Sequence, residues 1–422
     1  MMHVAQFKTF VSFGFILSAA LSNGRIAQKF KLPAITGFLI TGLIAGPSML
    51  GVLNAEQVTS LQAIDHIALS FIALVAGSEL RLSALRSQLY SILSVMFGLT
   101  LATFTLTAFS TYLLSSWIPA LSDLSSQQAL SAAILLGVIM VARSPSAAIA
   151  MINELKAKGS FTQLILGVTV LMDVVVITLF AAGLSVAHSL SAGQALSVGF
   201  IKEICIELVS SGFIAWLLYL AIRGLLNARL SSALSPILMV CLSTSVYYLA
   251  HLGEQIPFIN LTLHFDPLLT CLLAGVLMSN HEAISPECSE RFETQVSSLS
   301  PWIYLAFFTI TGASLKLDLL TQVWPLALLF FTIRLVGLAI GSTLGGAIAG
   351  EPKQQHAFRW MGFVTQAGVG LGLAKRVATE FPSWGPSLAT LMIAVIVMNE
   401  LMGPLFFKKA IISSGESHTT ES

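Results

Sequence analysis

Residues 39–49 read LITGLIAGPSM, and residues 268–278 read LLTCLLAGVLM. Six of the eleven positions are identical, among them Thr41 with Thr270, Ala45 with Ala274 and Gly46 with Gly275. A second match follows in the same order. Gly77-Ser-Glu-Leu80-Arg81-Leu82-x-x-Leu85 aligns with Gly312-Ala-Ser-Leu315-Lys316-Leu317-x-x-Leu320. The offsets are 229 and 235 residues. Two matches in order at near-equal offset indicate an internal repeat rather than chance likeness between apolar segments. The relative direction of the two copies depends on how many crossings separate them.

Composition makes crossings the right unit. The chain has 422 residues, 55% hydrophobic and only 10% charged, with a mean hydropathy of +0.86. A soluble protein carries about 25% charged residues. Apolar runs of a length that crosses a bilayer as helix recur throughout. The sequence therefore predicts an all-α polytopic membrane protein. Thirteen segments are read, at about 7–27, 33–52, 62–80, 87–118, 129–153, 162–187, 198–222, 232–252, 266–281, 299–315, 322–347, 357–381 and 387–410. The fourth is too long for one straight span and is expected to include an interfacial turn. Residues 1–27 resemble a signal peptide in layout, but are read as a first spanning helix.

The loops test this count. Arg25, Lys29, Lys31, Arg81, Arg86, Lys156, Lys158, Arg223, Arg229, Arg291, Lys353, Arg359, Lys408 and Lys409 follow odd-numbered segments. Only Lys202, Lys316, Lys375 and Arg376 follow even-numbered ones. The positive-inside rule then predicts an outside N-terminus and a cytoplasmic C-terminus. Segment two pairs with nine and three with ten, an odd separation, so the copies are inverted. The expected organisation is an N-terminal helix at 1–32, a first repeat at 33–187, linking helices at 188–265, a second, inverted repeat at 266–410 and a polar tail at 411–422.

Inverted repeats mark many secondary transporters, whose sites form where helices are broken near the midplane. Segment five contains Val141-Ala142-Arg143-Ser144-Pro145-Ser146 at its middle. Pro145 removes a backbone donor there, and Ser144 and Ser146 offer oxygens. Segment twelve contains Thr365-Gln366-Ala367-Gly368-Val369-Gly370-Leu371-Gly372, whose glycines weaken a helix. These are candidate broken helices at repeat-related positions. The GxGxG run has no strand before it, which excludes a dinucleotide fingerprint.

Four charges lie inside apolar segments: Arg143, Asp173, Arg334 and Glu400. Each costs at least about 2.5–3.5 kcal/mol at the bilayer centre on insertion scales. Two acids and two bases compensate one another, with Arg334, Arg143 and Glu400 read as the charge-compensating set. Asp173, in GVTVLMDVVVITLF at 167–180, is read as the carboxylate that alternates between a proton and a cation. Ser144, Ser146, Thr365 and Gln366 are its candidate companions. The helix-end acids Glu79, Asp318 and Asp266 are assigned no chemistry. Asp266 stands where a helix N-terminus favours an anion. Four cysteines without a CxxC pair, and histidines without a ligand pattern, give no metal site beyond the transported cation and no cofactor. No basic stripe suggests nucleic acid.

Gly42-Leu-Ile-Ala-Gly46-Pro47-Ser48-x-Leu50-Gly51 resembles the G-x-x-x-G-P-S-x-L-G stretch of the monovalent cation:proton antiporter-2 family, the Kef-type exchangers. Leu74-Val-Ala-Gly77-x-Glu79-Leu80 resembles that family's F-x-x-G-L-E-L. The resemblance covers about 30–410. It implies an NhaA-like fold with about thirteen helices, two crossed broken helices, a homodimer, and Asp173 as the carrier of Na⁺ or K⁺ and H⁺. The chain departs from the family in two ways. Met172 stands where relatives place a polar or acidic residue, and a thioether is a poor ligand for a hard cation. Only a short polar stretch follows Lys409, so the expectation is an exchanger without a C-terminal nucleotide-binding domain. One carrier acid implies electroneutral exchange. The competing readings are a cation-coupled organic-anion carrier of the same fold and a non-transporting membrane scaffold. An intramembrane enzyme lacks support, since GxGD, HExxH and GxSG are absent.

Overall fold

The computed structural model describes residues 2–80, 82–119, 121–192, 199–228, 231, 234–253, 265–281, 286–366 and 368–418. Arg81, Arg229 and Ala367 lie outside the described residues. No strand occurs among the described residues. In chain order the helices are α1 (Met2–Lys29), α2 (Ala34–Ala45), α3 (Ala55–Ser60), α4 (Gln62–Glu79), α5 (Leu82–Leu113), α6 (Ser126–Val141), α7 (Pro145–Glu154), α8 (Ser160–Ala192), α9 (Gly199–Asn227), α10 (Leu234–Gly253), α11 (Pro267–Asn280), α12 (Pro286–Ser314), α13 (Leu317–Ile348), α14 (Lys353–His356), α15 (Gly368–Glu380) and α16 (Gly385–Ser414). Among the described residues, 3-10 turns lie at Ser115–Trp117 and Arg359–Phe363. Among the described residues, eight stretches are long and apolar enough to cross a membrane, α6 and α7 counting as one, with shorter apolar helices at Ala34–Ala45, Leu234–Ala250 and Pro267–Asn280.

The long fourth segment resolves as one helix to Leu113, with the expected turn in the serine pair that follows it. Segment five is interrupted where Pro145 predicts. Segment twelve is interrupted one step earlier than its glycines suggest. The non-helical residues are Val364–Gln366, and Gly368, Gly370 and Gly372 already belong to α15. Glycine at 370 serves packing instead: a β-carbon there would crowd the Gln366 amide at 3.1 Å and Ile396 at 3.3 Å.

The chain divides into two compact units. The first comprises 1–84 and 201–315. Within it, α2 packs on α12 and α11 packs on α4. The two pairs are related by the internal repeat. Both rely on glycine for close backbone approach, as membrane helices commonly do. A β-carbon on Gly42 would strike the Thr309 carbonyl, and one on Gly275 the Leu74 carbonyl. The repeat extends to a detail of helix ends. Ser48 Oγ donates to the Leu315 carbonyl at 2.8 Å, and Asn280 Nδ2 to the Leu80 carbonyl at 2.7 Å. Leu80 and Leu315 are equivalent in the aligned motifs, and each ends its helix. Asp266 caps α11 as expected, its Oδ1 accepting from Leu269 N at 2.6 Å.

The second unit comprises 85–200 and 316–422. It holds both interruptions and all four charges of the apolar segments. Its centre is α16, which packs against α13, α15, the 359–363 turn, α6, α7 and α8.

Candidate functional site

A helix leaves its last four carbonyls without intrahelical partners. At the end of α6 this deficit falls on fully buried residues of the second unit. Side chains meet it. Gln366 Nε2 donates to Ile139 O at 2.7 Å, and Arg334 Nε to Met140 O at 2.9 Å. Arg143 Nη1 donates to Val141 O at 2.8 Å, and Arg334 Nη2 to Ala142 O at 3.0 Å. Two guanidinium cations thus stand at the negative end of a helix dipole, where cations are favoured.

The other side of the break is built for a helix start. Ser144 is extended and its Oγ accepts from Ala147 N at 3.3 Å, while Pro145 takes the first helical position of α7, where its missing N–H is harmless. Ser146, half-buried, places its Oγ 3.1 Å from that of Ser144. The two interruptions meet: Ser144 N donates to Thr365 O at 3.2 Å.

Arg334 is held by neutral oxygens. Its donors go to Met140, Ala142 and Val364 carbonyls and to Asn399 Oδ1 at 2.8 Å, all neutral oxygens. Carbonyl dipoles, rather than a carboxylate, offset its charge in these bonds. Gln366 is likewise engaged on both ends, its Oε1 accepting from Asn399 Nδ2 at 3.1 Å. Its amide braces the break. Asn399 was missed by sequence. An Asn beside Glu400 in an apolar helix is its signal in the sequence.

Arg143, Arg334 and Glu400 are 1%, 0% and 3% exposed. Arg143 differs from Arg334 in how little holds it. Its Nε and Nη2 are buried and make no hydrogen bond among the described residues. Its guanidinium carbon lies 5.9 Å from the centroid of the Phe363 ring, within cation–π range. Asp173 is half-buried in the middle of α8, which packs on α6, α7 and α16. Met172 turns elsewhere. It is wholly buried and its sulfur accepts from Thr100 Oγ1 of α5 at 3.4 Å. Arg359, counted above as a loop cation, is also fully buried, 3.6 Å from Glu351. The described residues hold no cluster suited to a resident metal, and the four cysteines are free thiols.

A profile of the transmembrane sodium/hydrogen exchanger family matches residues 15–410. The chain belongs to that family. The chain is 26% identical to the probable Na⁺/H⁺ antiporter GerT of Bacillus cereus, over 85% of this chain and 88% of GerT. It is 23% identical to the Na⁺/H⁺-K⁺ antiporter GerN of the same organism, over 96% of each. The fold is similar to that of the sodium proton antiporter MjNhaP1 from Methanocaldococcus jannaschii, with a TM-score of 0.76 over 100% of this chain and 99% of that one, at 17% identity. The architecture is NhaA-like. Membership places the chain among membrane cation–proton exchangers and not among enzymes.

Proposed function

We propose that this protein exchanges Na⁺ or K⁺ for protons by alternating access, with Asp173 holding either a proton or the cation. Only the loaded, neutral carboxylate crosses the hydrophobic barrier, because an unpaired charge there is costly. Binding one ligand excludes the other, and two access states complete an exchange cycle. The observation that carries this reading is the meeting of the two interruptions at Ser144 and Thr365, inside the unit whose α8 presents Asp173. Interrupted helices at membrane depth are tolerated where they are buried in protein or line a cavity, and transporter sites form at such breaks. The hydroxyls of Ser144, Ser146 and Thr365 are the neutral oxygens that complete a hard-cation shell. Gln366 and Arg334 hold the broken helix end that presents them. Glu400 balances the buried arginines.

One carrier acid gives one proton for one cation, so exchange is electroneutral. The loop charges orient the N-terminus outside and the C-terminus in the cytoplasm. Thirteen crossings and a homodimer complete the assembly. The Gly42–Gly51 motif supports a Kef-type reading inside the family. The test is cation-driven dissipation of a pH gradient in proteoliposomes, with and without an imposed membrane potential. A rate that follows the potential overturns electroneutrality.

One observation favours a second reading. The unbonded Nε and Nη2 of buried Arg143 suit an anionic group, which is what a cation-coupled organic-anion carrier requires. Uptake of a labelled carboxylate driven by a Na⁺ gradient would establish it over exchange.

A further inference from the structure

Helix α8 carries Asp173 but starts without an acid of its own in the first turn. Its first N–H groups are nevertheless satisfied, from 255 residues away in sequence. The Glu416 carboxylate accepts from Phe161 N at 2.8 Å through Oε1, and from Thr162 N and Thr162 Oγ1, both at 2.7 Å, through Oε2. This is an N-cap supplied by the C-terminal tail, with a full negative charge at the positive end of the helix.

Backbone bonds seat the same tail. Lys158 N donates to Glu416 O at 3.1 Å, and His418 N to Leu155 O at 3.3 Å. Leu155 is the residue that ends α7. Gly415, at φ 76°, ends α16 and turns the chain towards this seat. Residues 415–418 therefore join three helix ends: those of α16, α7 and α8. The three helices carry, respectively, Asn399 with Glu400, Ser144 at the break, and Asp173. Gly159 makes the seat possible, because a β-carbon there would occupy the place of the Glu416 carboxylate. Its own backbone is not in the left-handed region.

The geometry points to Glu416 as a positioning residue: a strap across one face of the second unit that fixes α8, and with it Asp173, against α7 and α16. The inference rests on the exchange reading for its consequence, but not for its contact. The α7–α8 connection holds two exposed lysines, Lys156 and Lys158, so trypsin reads whether the connection is strapped. The experiment compares full-length wild type with Glu416→Gln, Glu416→Asp and Gly159→Ala. Cleavage after Lys156 and Lys158 is followed in detergent, and Na⁺- and K⁺-driven proton flux in proteoliposomes.

Glutamine presents one acceptor where two are used and sets an N–H₂ against backbone donors. Gly159→Ala displaces the carboxylate without touching Glu416. Both variants are expected to be cleaved several-fold faster than wild type. Both should lose maximal exchange rate at unchanged half-saturating cation concentration, with Glu416→Asp restoring part of each. Wild-type cleavage in both variants overturns the strap. Faster cleavage with wild-type exchange overturns the positioning role. The proteolysis result stands even if wild type moves no protons, so failure of the strap and failure of the exchange reading are told apart.

Discussion

Arg334 and Arg143 donate to the same carbonyl oxygen, that of Ala142, at 3.0 and 3.5 Å. Two like charges share one acceptor because a helix ends there, and its unmatched carbonyls form a local negative field. The break in segment five is thus a charge-stabilised structure and not merely a kink. Arg334 is its main support, with four hydrogen bonds to neutral oxygens.

Arg334→Met should therefore destabilise the fold by at least about 3 kcal/mol, since each orphaned buried acceptor costs roughly 1–3 kcal/mol. Arg334→Lys should recover only part of this, because an ammonium lacks the planar fork that reaches several carbonyls at once. Thermal unfolding in detergent, followed by circular dichroism, measures both.

Asn399→Leu removes the link between Arg334 and Gln366 and should cost roughly 1–3 kcal/mol. Exchange should fall in the same variant, because the break that Gln366 braces loosens. A stability equal to wild type would show that the network is dispensable.

Much of this was legible in sequence. The repeat of 39–49 in 268–278 is legible, and the structure carries it into the matched packing of α2 on α12 and α11 on α4 and the capped carbonyls of Leu80 and Leu315. Pro145 marks the first interruption because proline acts locally on its own backbone. The second was displaced. Gly368–Gly372 suggest weakness, but the chain leaves the helix at Val364–Gln366, where Arg334 of α13 and the Ser144 N–H offer the backbone other partners. Counting two acids and two bases suggests ion pairs, yet Arg334 is met by carbonyls whose direction no sequence displays. Asn399, an uncharged bridge between distant segments, and Glu416, a tail residue capping α8, depend on tertiary geometry alone.

The two serines of the break separate structural from ligand roles. Ser144 caps α7, so Ser144→Ala should cost about 1 kcal/mol of stability. Among the described residues the Ser146 hydroxyl bonds only to Ser144, so Ser146→Ala should stay within about 0.5 kcal/mol of wild type. Both should raise the half-saturating cation concentration. Unchanged half-saturation in Ser146→Ala would remove it from the cation shell.

Met172 faces Thr100 from a wholly buried position. Met172→Leu should therefore change half-saturation by less than about twofold, as a volume-conserving swap of a residue that is no ligand for a hard cation. A large rise in half-saturation would return Met172 to the site.

The most direct test of the account is proton flux in proteoliposomes holding an acid-inside gradient, with Na⁺ or K⁺ added outside, for wild type and Asp173→Asn. The account predicts that one cation dissipates the gradient in wild type and neither does so in the variant. Equal dissipation by the variant, or none by wild type with either cation, would contradict an exchange carried by Asp173.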